Sequence, residues 1–354
     1  MCKLKSTTMQ KHKLGKSNIS VSSLCLGCMT LSAGKSDSDA LNLLDQALAN
    51  GICFFDTAEM YPTPIRESTY GSSEELIGKW LRKKGGRSEI TLATKASGPA
   101  AFVPWIRSGK SRHNQANLIS AVEGSLKRLR TDYIDIFQLH WPDRATNFFN
   151  VRGFKVPKKD LTFDIEGTVD VLMDLVASGK IRSFGICNET AWGAMTFIKN
   201  IEKRKLNTTL AIQNPYNLLN RNLEVGLSEI ITREDIAFFA HSPLASGILT
   251  GKYFNGSALS SSRLNQNHHG AVFKSPALLK AAEKYITIAK KHGIDPTQMA
   301  IAWLLSQPVV TSVIIGVTNR SQLAHNLASC NVTLTREILK DIDSVQQEIP
   351  NPCP

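Results

Sequence analysis

Short, continuously apolar runs alternate along the chain with longer stretches whose apolar residues return every three or four positions. Ile52-Cys53-Phe54-Phe55, Ile90-Thr91-Leu92-Ala93-Thr94 and Tyr133-Ile134-Asp135-Ile136-Phe137-Gln138-Leu139 are of the first kind, the signature of parallel strands covered on both faces. Residues 38–50, with Leu41, Leu44 and Leu48 on one face, are of the second kind, an amphipathic helix. Extended along the sequence, the pattern predicts strands at 23–26, 52–55, 90–94, 133–139, 181–186, 210–213, 236–239 and 312–315. It predicts helices at 38–50, 114–129, 165–177, 222–232, 276–292, 296–306 and 335–348, and others starting near 72, 191 and 319. At Ser72-Ser73-Glu74-Glu75 a capping serine ahead of an acidic first turn marks a helix start. Residues 11–23 read as a β-hairpin turning at Gly15-Lys16-Ser17-Asn18.

Eight strand-then-helix units predict an α/β fold of the (β/α)8 TIM barrel type, preceded by the hairpin and followed by an extra C-terminal helix. A doubly wound sheet would need a G-x-G-x-x-G turn after its first strand, where this chain reads Gly27-Cys28-Met29-Thr30. The expected organisation is a tail at 1–10, one barrel domain at 11–348 with an insertion at 251–274, and a tail at 349–354.

Composition narrows the class without changing the fold. The 354 residues are 42% hydrophobic and 20% charged, as in soluble globular proteins. No apolar run approaches membrane-spanning length, and the N-terminus lacks a signal-peptide core, so a cytoplasmic protein without a membrane partner is expected. The net charge of +12 is spread along the chain rather than gathered in a basic block with interleaved aromatics. That favours an anionic cofactor over nucleic acid. Seven irregularly spaced cysteines argue against a disulfide framework, and Cys25-Leu26-Gly27-Cys28 closes a strand rather than opening a helix, so buried strand cysteines are expected.

The chemistry gathers where strands end. One apolar run stops on Asp56, the next on Lys95 and a third on His140, while Tyr61 follows Asp56 in a segment that Pro62 and Pro64 keep from being helical. Singly these residues read as a cap, an end charge, a core histidine and a rim aromatic. At the same end of adjacent parallel strands they read as one site. Paired strand-end carboxylates and clustered histidine ligands are missing, so neither glycoside hydrolysis nor metal catalysis is expected. An ammonium beside a phenol favours the phenolate, and a tyrosine that protonates a carbonyl oxygen needs a hydride source that side chains cannot supply. A nicotinamide cofactor is implied. Two long loops, 96–113 and 141–164, flank the cluster and carry Trp105 and Trp141 as pocket walls beside Met60. They also carry Arg107, Lys110, Arg112, Arg144, Arg152, Lys155, Lys158 and Lys159, either a solvated rim or a mouth that favours anionic ligands.

With the Gly-x-x-Phe-Phe-Asp-Thr-Ala-Glu-Met-Tyr and Leu-His-Trp-Pro-Asp motifs, the chain resembles the aldo-keto reductase superfamily over nearly its whole length. Gln213-Asn214-Pro215-Tyr216-Asn217-Leu218-Leu219-Asn220-Arg221 and Leu249-Thr250-Gly251-Lys252-Tyr253 are similar to its bacterial Tas-type branch. The resemblance implies NADP(H) laid across the strand C-termini, with Asp56, Tyr61, Lys95 and His140 as the catalytic set. It implies Asn188 and Gln213 at the carboxamide, Gly27, Cys28 and Met29 lining its approach, and Asp56 also at the ribose. Ser242 and Leu244 would hold the pyrophosphate, with Ser246, Gly247 and Lys252 completing that part of the set. The insertion would fold over as a belt bearing Arg263, and Gly316, Thr318, Arg320, Gln322 and Asn326 would take the adenosine phosphate. Cys187 stands where the family commonly has Ser, His241 where an aromatic stacks on the ring, and Gly316-Val317 where many members have Lys-Ser. The expected activity is NADPH-dependent reduction of a small-molecule carbonyl, by a monomer or homo-oligomer. The alternatives are a cofactor-sensing regulatory subunit of the same fold and an aldolase-like barrel with Lys95 as Schiff-base nucleophile.

Overall fold

The computed structural model describes residues 9–34, 36–149, 151, 153–158, 163–204, 208–254 and 275–353. The chain enters as the antiparallel hairpin β1 (Lys11–Lys13) and β2 (Ser20–Ser22), turning through Gly15 at φ +49°. Eight parallel strands follow: β3 (Leu24–Gly27), β4 (Phe54–Asp56), β5 (Thr91–Ala96), β6 (Ile134–Leu139), β7 (Ile181–Cys187), β8 (Leu210–Pro215), β9 (Ala237–His241) and β10 (Ser312–Gly316). They close into a barrel in chain order, with β10 hydrogen-bonded to β3 through Val313 opposite Leu24 and Gly316 opposite Gly27.

The outer layer comprises α1 (Asp37–Ala49), α2 (Ser72–Lys84), α3 (Gln115–Leu129), α4 (Ile165–Ala177), α5 (Ala191–Lys203), α6 (Leu227–Arg233), α7 (Pro276–Lys291), α8 (Pro296–Leu305), α9 (Arg320–Leu327) and α10 (Arg336–Glu348). Side-chain oxygens of Ser36, Asn114, Asp164, Thr190, Ser275, Asp295, Asn319 and Thr335 accept N–H groups that α1, α3, α4, α5, α7, α8, α9 and α10 leave unpaired in their first turns.

Two element expectations are corrected. The residues expected to form one helix at 222–232 instead form a short 3₁₀ turn (Asn222–Glu224) and then α6, because Gly226 at φ +91° breaks the run. At α2 the cap position belongs to Gly71 at φ +78°, not to a serine. Ser72 and Ser73 meet the Ser32 hydroxyl instead, at 3.0 and 3.1 Å, and Glu74 turns inward to Thr94 (2.5 Å) and Arg128 (2.6 Å).

The hairpin has a structural use. Leu14, Ile19 and Val21 pack on inward-facing Cys25, Phe54, Ala93, Ile136, Ala211, Phe239 and Ile314, plugging the N-terminal end of the barrel with an apolar layer. Cys25 and Cys28 are both buried strand-region thiols outside any disulfide, as the sequence suggested. Among the described residues no helix is long and apolar enough to cross a membrane.

Candidate active site

Side chains on a strand face inward at every second residue, so the apolar layer fixes what stands above it. Two positions toward the C-terminal ends come Gly27, Asp56, Lys95, Gln138, Gln213, His241 and Gly316, with Cys187 from β7. The barrel interior therefore turns from apolar to polar within one step of the pleat. Asp56 is the hub. Its Oδ2 accepts from Lys95 Nζ at 2.5 Å, and its Oδ1 accepts from Gln213 Nε2 at 2.8 Å and Gln138 Nε2 at 3.1 Å. Lys95 also donates to the Thr57 carbonyl at 2.8 Å and is fully buried.

Tyr61 lies in the turn after β4, its N–H bonded to the Ala58 carbonyl at 3.1 Å. Lys95 Nζ sits 5.3 Å from the centre of the Tyr61 ring, and the His140 ring packs edge-on against it at 5.7 Å and 81°. The four ionisable residues expected from three neighbouring strand ends are thus brought together. Burial works against the Lys95 ammonium, but Asp56, with Tyr61 and Cys187, outweighs it and carries the pKa above the ordinary lysine value. Burial, with Lys95 and His241 nearby, pushes His140 well below the usual imidazole range, so its ring is neutral. Its Nδ1 is buried with no hydrogen-bond partner among the described residues.

A second arc continues around the mouth from β7 to β10. Asn188, at φ +56°, donates through Nδ2 to the His140 carbonyl at 2.9 Å and to Cys187 Sγ at 3.2 Å, while its Oδ1 faces His241 Nε2 at 3.1 Å. His241 Nδ1 is 3.0 Å from the Ser242 hydroxyl. Gln213 is drawn inward, its nitrogen on Asp56 and its oxygen accepting from Cys187 Sγ at 3.7 Å. Burial pushes the Cys187 thiol up to about 12, so it stays protonated. Cys28 is buried behind Gly27, its N–H on the Asp56 carbonyl at 2.8 Å, and Met29 packs on the Tyr61 cluster. Leu244 leads into a 3₁₀ segment (Ala245–Thr250) where Ser246 and Gly247 take φ +59° and +90°. Lys252 approaches the Gly247 backbone and lies 5.0 Å from the Tyr253 ring. Beyond exposed Gly316, Thr318 N–H and hydroxyl donate to Gln322 Oε1 at 2.7 and 2.9 Å, Arg320 is exposed at the start of α9, and Asn326 is buried on that helix. Arg263, with the rest of 255–274, lies outside the described residues.

This second arc fits an extended anionic dinucleotide by the chemistry of its donors. Segments 241–254 and 316–327 carry Lys252 and Arg320 but no Asp or Glu, and a Cβ at Gly316 would meet nothing within 4 Å.

Met60, Val103, Ile106 and Trp141 form one buried cluster with Tyr61, and Met29, Trp105 and Phe148 pack against it. The wall residues expected from the sequence therefore adjoin the phenol. Three of the basic residues in these loops are held in ion pairs, while Arg152 and Lys159 lie outside the described residues. Arg107 pairs with Glu59 at 2.7 Å, Arg112 with Asp143 at 2.6 Å and Arg144 with Glu189 through both guanidinium nitrogens. Gln138 and Glu59 were passed over in the sequence, although each is visible there. Gln138 is a lone amide late in an apolar run, and Glu59 sits two residues before the tyrosine.

The model of the Aldo/keto reductase family matches residues 23–347. The Tas protein of Escherichia coli (strain K12) is 39% identical over 346 residues, covering 98% of this chain and 100% of that protein. YrpG of Bacillus subtilis (strain 168), an uncharacterized oxidoreductase, is 31% identical over 341 residues, 95% of this chain and 96% of its own. A probable voltage-gated potassium channel subunit beta of Arabidopsis thaliana is 31% identical over 358 residues, 97% and 98% respectively.

Proposed function

Because the chain belongs to the aldo/keto reductase family, we propose that it is an NADPH-dependent oxidoreductase reducing aldehydes or ketones to alcohols, with Tyr61 as general acid. The observation that carries this reading is the buried Lys95–Asp56 pair directly beneath the Tyr61 ring. A bound reduced nicotinamide supplies the hydride to the carbonyl carbon. The Tyr61 hydroxyl gives its proton to the carbonyl oxygen, and the Lys95 ammonium stabilises the phenolate left behind. Asp56 keeps that ammonium charged, which also removes Lys95 from Schiff-base chemistry. Neutral His140 packs against the phenol and orients the substrate oxygen by hydrogen bonding. Asn188, Gln213, His241, Ser242 and the segments around Ser246 and Thr318 hold and orient the cofactor. The aromatic and methionine wall excludes water and holds the carbonyl substituent.

The test is Tyr61→Phe against a carbonyl panel with NADPH and NADH. Turnover should fall by about 10²–10⁴-fold, while a fluorescence titration shows NADPH binding retained. Near-wild-type reduction by the variant would overturn the assignment. The channel-subunit relatives motivate a second reading, a cofactor-sensing subunit. It would show as slow single-turnover oxidation of bound NADPH without steady-state activity.

A further inference from the structure

Glu59 is fully buried, and its Oε1 accepts the Ser97 N–H at 2.6 Å. It thereby ties the turn that carries Tyr61 to the end of the strand that carries Lys95. Tyr70 adds its hydroxyl on Oε2 at 3.3 Å. The remaining capacity is taken by Arg107, which reaches back from the middle of the 97–113 loop. Its Nη1 donates to Oε2 at 2.9 Å, and its Nη2 donates to Oε1 at 2.7 Å and to the Ser97 carbonyl at 3.0 Å. A guanidinium forked on a carboxylate fixes direction as well as distance.

The loop is held there against resistance. Arg107 and Ser108 lie at φ +50° and +53°, followed by Gly109 at +73°. Left-handed non-glycine residues are strained and persist only where their surroundings impose them. Arg107 Nε is also buried without a partner among the described residues, a second cost at the same side chain. What the fork holds in place is the substrate side of the site. Between Ser97 and Arg107 the loop buries Val103 and Ile106 against Met60, Tyr61 and Trp141, and packs Trp105 on the same cluster.

We propose that Arg107 is a positioning residue that sets the width of the carbonyl pocket by clamping the 97–113 wall onto Glu59, and that it is not a receptor for anionic substrates. The proposal rests on the reading of Tyr61 as general acid. Removing the fork leaves the Ser97–Glu59 bond, and with it the placement of Tyr61 against Lys95, but releases the wall. Substrates that lean on the wall lose affinity, small ones do not, and the cofactor arc is untouched.

The experiment compares Arg107→Lys and Arg107→Met with Arg87→Met. Arg87 makes a comparable ion pair with buried Asp135, 2.7 Å long, at the opposite end of the barrel. Hydrogen exchange is followed at residues 98–110 without substrate, and steady-state kinetics with NADPH are measured on propanal and 2-naphthaldehyde. Both Arg107 variants should exchange faster at 98–110. Their KM for the naphthaldehyde should rise about tenfold while that for propanal changes less than about twofold. NADPH affinity should be unchanged, and Arg87→Met should lose stability without either effect. Retained protection at 98–110, or the two KM values moving together, overturns the clamp. If Arg107→Met does not fold, the lysine variant, which keeps a charge against Glu59, carries the test. An inactive wild type would sink the reading of Tyr61, while the exchange measurement would still decide for or against the clamp.

Discussion

Replacing Lys95 by Met leaves buried Asp56 without its cation, the amides of Gln138 and Gln213 being its remaining side-chain donors among the described residues. Breaking a buried pair from one side costs about 3–5 kcal/mol, so Lys95→Met should unfold at clearly lower urea. Adding Asp56→Asn removes the stranded charge, and the double variant should recover most of that loss while remaining inactive. Recovery of turnover with stability would separate the pair from the chemistry and count against the mechanism. At this scale the sequence was informative because a charged residue at the end of a buried apolar run is costly unless something answers it. Asp56, Lys95 and His140 each end such a run. The answering partners were harder to see: a carboxylate is satisfied by whichever donors the closed barrel brings near, and Gln138 and Gln213 lie far from Asp56 in the chain. The basic loops stayed open between a solvated rim and a cationic mouth for the same reason. Arg107, Arg112 and Arg144 looked unmatched along the chain, yet two of their partners, Glu59 and Glu189, come from other strand ends.

Elements test the packing between these residues. Gly78 in α2 lies so close to α3 that a Cβ there would sit 2.3 Å from the Arg128 carbonyl oxygen. Gly78→Ala, favourable by helix propensity alone, should destabilise by about 1–3 kcal/mol through overpacking, read as a lower thermal midpoint. A gain in stability would show that α2 and α3 can part without cost. Asp295 caps α8 through the N–H groups of Thr297 and Gln298 and also bonds His325 at 2.9 Å. Asp295→Ala should cost about 1 kcal/mol by denaturant titration, and a neutral result would mean the cap is replaceable. Helix and strand positions followed from hydrophobic period. One boundary failed where a glycine decided it, at Gly226, and the cap of α2 fell to Gly71 rather than to a serine, because a left-handed φ leaves no trace in an apolar pattern.

For the whole molecule, two buried imidazoles set the acid response. His113 is lowered to about 3 by burial and by Arg107, Arg112 and Arg144, and His140 is held well below the usual imidazole range by burial and by Lys95. Both stay neutral in the folded chain where the unfolded chain, with imidazole near 6.5, takes up protons. Stability is therefore fully present above that value and is lost as pH falls from about 6.5 toward 3, at up to about 1.4 kcal/mol per pH unit for each group. Urea midpoints should drop steadily between pH 7 and 5, above the range where surface carboxylates titrate, and His113→Gln should flatten the slope. An unchanged slope would show that His113 is protonated in the folded state.

The seam where β10 meets β3 has a consequence for synthesis. Tyr61, Lys95 and His140 are all made in the first half of the chain, whereas His241, Ser242 and the segment after Gly316 come late. The cylinder cannot close until the strand ending at Gly316 has left the ribosome and found Gly27. A nascent chain stalled before that point holds Tyr61, Lys95 and His140 but lacks part of the arc proposed to hold the cofactor. It also exposes the unpaired backbone of β3 and β9, so such a product should be a substrate for chaperones and proteases rather than a partial enzyme.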